Sequence, residues 1–175
     1  MRLRVERMRV DEIAIREFLH TTYPRLVAAV ALACGSWPGA EDAVQEALLR
    51  AWERSEKGQE IDSLEAWVTT VALNLSRSGL RRLRSERRAR TRLASPRSLE
   101  PDVERLDVER ALSTLPRRQR EVVVLRYYLQ LDTREVASAL GIGEGTVKST
   151  LFRARATLAS ALGMHEDEEA NDRGA

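Results

Sequence analysis

Apolar residues recur along this chain at three- and four-residue intervals, and no run alternates with the period of two that a half-buried strand requires. The cleanest stretch places Ala40, Ala43, Val44, Ala47, Leu48, Ala51 and Trp52 on one helical stripe, which predicts a helix with its core face assigned. Its opposite face carries Glu41, Asp42, Gln45, Glu46, Leu49, Arg50 and Glu53, an acidic surface with one apolar residue set into it. Charges opposite a core stripe are ordinarily just a solvated face. Upstream, a helix is predicted to follow Asp11, using Ile13, Phe18, Leu19, Leu26, Val27, Val30 and Ala31 for apolar contact. Pro24 is the point where it would kink or divide. It ends near Gly35, with Ser36, Trp37, Pro38 and Gly39 read as a turn.

A third helix can be capped by Asp62 with Glu65 in the reciprocal position. Leu64, Trp67, Val68, Val71, Ala72 and Leu75 form its inner stripe, leaving Thr69, Thr70, Asn74, Arg77, Ser78 and Arg81 to a partner. Polar, aromatic-flanked and increasingly basic, this helix suits single-stranded DNA, where backbone charge and base stacking supply affinity. Trp67, at a core spacing, reads first as a core residue and only second as a platform for a base.

The segment from Asp132 to Arg155 reads as a helix-turn-helix. Asp132 and Glu135 can form a capping box, so the first helix begins at Asp132 or Thr133. Val136, Ala137 and Leu140 face inward, Gly141 supplies the backbone angles of the tight turn, and Ile142 fills the corner. The second helix is expected from Gly143 or Glu144, with Val147, Leu151, Ala154 and Leu158 inward. Lys148, Ser149, Thr150, Phe152, Arg153 and Arg155 then face outward, supplying donors, a methyl and an aromatic for base edges and phosphates. Gly141, Gly143 and Gly145 before Lys148 mimic a phosphate-cradling loop, but Val147 stands where that loop needs a glycine.

Composition agrees with an all-helical chain: among 175 residues only 5% are aromatic and Gly and Pro are sparse, while Ala, Leu, Val, Arg and Glu dominate. The formal net charge of +2 conceals segregation. Arginines crowd the stretch from Arg77 to Arg97, and Glu166 to Asp172 is acidic, so local fields outweigh the sum. Cys34 is the one cysteine, which excludes an internal disulfide or a cysteine metal cluster and suits core filling. Charges interspersed from Arg2 to Arg9 leave no apolar run for a signal peptide, and no later stretch approaches a membrane span. A cytoplasmic protein is expected. His20 and His165 are isolated, with no spacing for a metal site or a nucleophile and base, so neither a cofactor nor enzymatic activity is expected. From 91 to 104, Pro96 and Pro101 among polar residues read as a flexible linker. Fully extended it spans roughly 45 Å, more than one turn of DNA at roughly 34 to 36 Å.

Three segments together resemble the ECF (extracytoplasmic-function) type of bacterial RNA polymerase sigma factors. Residues Glu41 to Trp52 look like the core-polymerase-binding helix of that family, Leu115-Pro116-Arg117-Arg118-Gln119-Arg120-Glu121-Val122 like the opening of its carboxy-terminal domain, and Gly145-Thr146-Val147-Lys148-Ser149 like its recognition helix. The resemblance implies an all-α chain of two small helical domains. Region 2 would occupy 1–90, the flexible linker 91–104 and region 4 with the helix-turn-helix 105–163; the match spans about residues 10 to 163, and the acidic stretch 164–175 beyond it is expected as a disordered tail. It further implies that Glu41, Asp42, Gln45, Glu46 and Leu49 bind the clamp helices of the largest polymerase subunit, while region 4 meets the flap of the second-largest.

By the same resemblance, the loop from Ser55 to Ser63 with Trp67, Asn74, Arg77, Arg81 and Arg82 would hold the unpaired minus-ten element. Lys148, Ser149, Thr150, Phe152, Arg153 and Arg155 would read the minus-thirty-five element as duplex. An anti-sigma factor is a further partner the family implies; a membrane or small-molecule substrate is not. The family usually has an aromatic and an Arg where this chain has Val68-Thr69-Thr70, and often Arg where it has Thr150; these departures bear on which promoter sequence is read. The competing reading is a dimeric helix-turn-helix regulator of palindromic sites, which leaves the acidic face, the basic third helix and the linker without a role.

Overall fold

The computed structural model describes residues 10–89 and 103–161, with side chains described for 10–79 and 107–160. The expected acidic tail, and the expected linker apart from Val103 and Glu104, lie outside them. Helices α1 (Glu12–Thr21), α2 (Tyr23–Cys34), α3 (Trp37–Glu56) and α4 (Leu64–Ala89) precede α5 (Val103–Thr114), α6 (Arg117–Val123), a π-helical turn (Val124–Tyr128), α7 (Thr133–Leu140) and α8 (Glu144–Ala161). No strand occurs among the described residues, as the apolar periodicity requires.

The first helical stretch is divided, at Thr22 rather than at Pro24 itself. Asp11 caps α1 by accepting from the Ala14 amide at 2.9 Å, and Pro24 sits in the first turn of α2, where its missing N–H costs nothing. The division alters burial. Phe18, Leu26, Val30 and Ala31 are buried as expected, whereas Ile13 is 76% exposed and Leu19 is also exposed, because α1 turns away from the stripe that α2 continues. The stretch Ser36 to Gly39 is likewise not a free turn. Ser36 caps α3, its hydroxyl accepting from the Gly39 amide at 3.3 Å, and Trp37 and Pro38 open the helix. On α3 itself Ala40, Ala43, Val44, Ala47, Leu48 and Ala51 are all buried, while Trp52, expected on the same stripe, is only half-buried at its end.

Helix α4 starts one position later than its expected Asp62 cap implies, with the Ser63 hydroxyl accepting from the Ala66 amide at 3.2 Å. Thr69, expected to face a partner, is 2% exposed; its hydroxyl donates to the Glu65 carbonyl at 2.7 Å, which satisfies the buried group within the helix. The helix runs on to Ala89.

In the second half, Asp132 and Glu135 close a reciprocal capping box at 2.7 and 2.8 Å, and Gly141 ends α7 at φ 63°, a left-handed conformation that suits a residue without Cβ. Val136, Ala137 and Leu140 of α7 pack with Val147, Leu151 and Ala154 of α8 in the core. The π-helical turn lies before them, closed by the Leu129 amide donating to the Val124 carbonyl at 3.1 Å. Gln130, at φ 60°, then turns the chain into α7.

The two halves are packed together. Helix α2 meets α6 and the π-helical turn, and α4 meets α7, so that one continuous apolar cluster runs through both. Polar contacts tie the seam: Arg25 Nη2 donates to the Tyr128 carbonyl at 2.9 Å, Trp37 Nε1 donates to Glu109 at 3.2 Å, and Arg77 pairs with Glu121.

Candidate nucleic-acid interface

Helix α8 is divided lengthwise by burial. Val147, Leu151 and Ala154 are buried against α6 and α7, while Lys148, Ser149, Phe152, Arg153 and Arg155 are exposed and Thr150 is half-buried. Phe152 is 76% exposed, a large aromatic that the described chain leaves uncovered. A cation, a hydroxyl, an aromatic and a second cation thus share an outward surface of dimensions that a major groove admits. The Ser149 hydroxyl donates to the Thr146 carbonyl at 3.1 Å, and Arg155 is steadied by Tyr127.

A different concavity lies in the first half. An open cavity of about 300 Å³ has Trp67 and Val71 of α4 as its apolar wall and Arg50, Arg54 and Lys57, outnumbering Glu53, at its rim. Gln59, from the loop between α3 and α4, adds an amide. Trp67 is therefore half-buried against the core and also lines this cavity. Val71, which the periodicity assigns to the core, and Arg50 and Arg54 were not legible as cavity residues, because the cavity forms only where α3 and α4 cross.

Asn74 and Arg77 lie further along α4, and Arg81 and Arg82 continue on the same helix, Arg81 one turn beyond Arg77. Asn74 is exposed and its Oδ1 accepts from Arg77 Nη1 at 3.0 Å. Arg77 Nε and Nη2 donate to the two carboxylate oxygens of Glu121, each at 2.9 Å. Glu121 also accepts from Arg117 Nε at 3.0 Å and Arg118 Nη1 at 3.3 Å. Burial pushes the Glu121 carboxyl up, but the arginines, Arg77 first, outweigh it and hold the group below the usual carboxylate range. The spacing of Arg117 and Arg118, four and three residues before Glu121, was the signal in the sequence for this cluster; the arrival of Arg77 had none. Nearby, burial pushes the Cys34 thiol up despite Arg117, as expected of a thiol that fills space.

On α3 the acidic face is presented outward: Glu41, Asp42 and Gln45 are exposed, Glu46 is half-buried, and Leu49 is 54% exposed. Glu46 accepts from Arg50 Nε at 2.7 Å, and Gln45 donates to the Tyr23 hydroxyl at 3.2 Å. No helix among the described residues is long and apolar enough to cross a membrane.

Two family descriptions match in order along the chain, Sigma-70 region 2 over residues 19–86 and Sigma-70 region 4 over residues 105–158. The chain is 34% identical over 160 residues to the ECF RNA polymerase sigma factor SigL of Mycobacterium tuberculosis, covering 86% of this chain and 90% of the relative. It is 32% identical over 157 residues to the RNA polymerase sigma-E factor of Streptomyces coelicolor, covering 87% and 88%. Among solved structures, the sigma factor RpoE in complex with the anti-sigma factor NepR from Bartonella quintana superimposes with a TM-score of 0.71 at 26% identity, covering 87% of this chain and 98% of that one. With both regions matched in sequence order, and with the helix-turn-helix and the acidic helix each in its expected half, the chain belongs to the ECF RNA polymerase sigma factors, which act in transcription initiation.

Proposed function

We propose that this sigma factor binds core RNA polymerase through the outward face of α3 and places it on promoters through two separate DNA contacts. The observation that carries the reading is the lengthwise division of α8, where exposed Lys148, Ser149, Phe152 and Arg153 lie over buried Val147, Leu151 and Ala154. Such a face reads duplex base edges at the minus-thirty-five element, with Thr150 and Arg155 at its margin. The cavity bounded by Trp67 receives an unstacked base of the minus-ten element, whose extrusion costs a few kcal/mol and is offset by stacking and by the rim cations. Arg77, Arg81 and Arg82 follow the strand's phosphates and Asn74 a base edge. Residues 1–90 act as the polymerase and minus-ten unit, 105–163 as the minus-thirty-five unit, and 91–104 as the connection between them.

Glu41, Asp42, Gln45, Glu46 and Leu49 engage the clamp helices of the largest subunit, and region 4 rests on the flap of the second-largest. Catalysis belongs to the polymerase, and the protein works in the cytoplasm. An anti-sigma factor is a partner by analogy with the RpoE and NepR complex. The test is run-off transcription with purified core polymerase over genomic DNA. Start sites that appear only when the protein is added support the reading, and an unchanged transcript set overturns it.

A further inference from the structure

Arg77 has all three of its guanidinium nitrogens engaged within the chain: Nε and Nη2 on Glu121 and Nη1 on Asn74. Its partner comes from the other half of the molecule, 44 residues away. We propose that Glu121 is an internal anion that occupies Arg77 in the free protein, latching region 4 onto region 2 and withholding Arg77 from the promoter strand until a phosphate replaces the carboxylate. This rests on the reading of Arg77 as a minus-ten phosphate contact.

The geometry suits an exchange of partners. An arginine fork meets a carboxylate and a phosphate with the same pair of parallel donors, so Arg77 can trade one for the other without changing its own shape. Glu121 is 2% exposed, and a carboxylate stranded at that depth would oppose release. It is not stranded, because Arg117 and Arg118 from its own helix remain on the same two oxygens after Arg77 leaves. Three guanidinium groups around one carboxylate also leave the cluster with surplus positive charge, which favours loss of one cation to an external anion.

The remaining polar contacts of the seam can part, and opening has to overcome the apolar packing of α2 and α4 on the other half. Arg25 on the Tyr128 carbonyl and Trp37 on Glu109 are directional polar contacts whose groups water can satisfy after separation. Within the closed packing, Arg117 Nη2 and Arg120 Nε are buried without a hydrogen-bond partner, which keeps the closed arrangement shallow. Asn74 is drawn into the same cluster by Arg77, so closure occupies two of the groups assigned to the minus-ten strand.

The test uses the full chain, with small-angle scattering for its radius of gyration and fluorescence anisotropy for binding to labelled oligo-dT, a single strand that presents phosphates regardless of promoter sequence. Glu121→Gln is expected to enlarge the radius and to tighten oligo-dT binding about tenfold, the gain expected when a binding-competent form rises from a tenth of the population to most of it. Arg25→Ala combined with Trp37→Phe leaves Glu121 and all its arginines in place and is expected to move both readings in the same direction, guarding against a folding defect specific to Glu121→Gln. An unchanged radius and unchanged affinity in both variants, or an enlarged radius without tighter binding, overturns the latch. Arg77→Ala added to Glu121→Gln separates the premise from the proposal. Loss of the affinity gain with the radius still enlarged supports the exchange, whereas retention of the gain removes Arg77 from strand binding and with it the exchange, leaving the closure itself to the scattering result.

Discussion

The guanidinium of Arg155 on α8 donates from Nε to the phenolic oxygen of Tyr127 at 2.9 Å and lies 5.8 Å from the centre of that ring. Tyr127 belongs to the π-helical turn, 28 residues earlier, so an exposed cation of α8 is held from outside that helix. Preorganisation of this kind lowers the entropy that a flexible arginine loses on binding. Tyr127→Phe removes the acceptor and keeps the ring. Its expected effect is duplex binding about two- to fivefold weaker, in line with the loss of one partly exposed hydrogen bond. Anisotropy titrations on a minus-thirty-five duplex measure it, and equal affinity would show that Arg155 is held for some other purpose.

The capping box at the start of α7 makes a separable contribution to stability. Asp132→Ala should lower the unfolding free energy by about 1 kcal/mol, within the range for lost caps. Glu135→Ala should cost less, and the double variant less than the sum, because each side chain satisfies an amide next to the other. Urea denaturation of the four proteins tests the non-additivity.

This capping box was legible from the sequence, as were Gly141, a division close to Pro24 and most of the buried stripe of α3. Each is written within a few residues of itself. What was not legible depends on distance or on lost periodicity. Ile13 and Leu19 keep helical spacing with α2, yet the break at Thr22 rotates α1 and exposes them. Val122, Val123, Val124 and Leu125 are all buried, and an unbroken apolar run carries no phase from which a π-helical turn could be read. The cavity at Trp67 and the approach of Arg77 to Glu121 arise from how helices cross, which no local pattern encodes.

Glu121 gives the fold a defined pH response. Its carboxyl is held below the ordinary range, so its stabilising contribution is complete above the unfolded value of about 4.3 and is lost as pH falls through the lower native value. The difference in unfolding free energy between the parent protein and Glu121→Gln should be flat from neutral pH down to about pH 5 and should shrink below about pH 4. Denaturant titrations at stepped pH report it. A difference that instead changes near neutrality would mean that another group controls the cluster.

Leu49 should separate binding from folding. At 54% exposed, Leu49→Ala removes little buried area and should leave stability within about 0.5 kcal/mol. Affinity for core polymerase should fall about tenfold if the residue seats in a desolvated pocket of the partner. Size-exclusion or surface-binding assays with core polymerase, beside thermal melts, give both readings, and unchanged affinity would remove Leu49 from the interface.

If α8 meets duplex DNA as proposed, salt dependence distinguishes its cations from its other exposed groups. Lys148→Ala and Arg153→Ala should each reduce the slope of log affinity against log salt by about one for every phosphate that is no longer neutralised. Phe152→Ala should weaken duplex binding with the slope unchanged, since an aromatic releases no counterion. A slope that shifts with Phe152→Ala alone would reverse these assignments.

The π-helical turn from Val124 to Tyr128 sets the rotational phase at which Tyr127 and the chain beyond it leave this helix. One residue more or fewer there rotates them by about 100° around its axis. A single deletion in this turn would therefore swing Tyr127 away from Arg155 and re-aim the loop that enters α7, even though every helix remained intact. Substitutions in this segment are therefore a matter of volume, whereas insertions and deletions are a matter of aim.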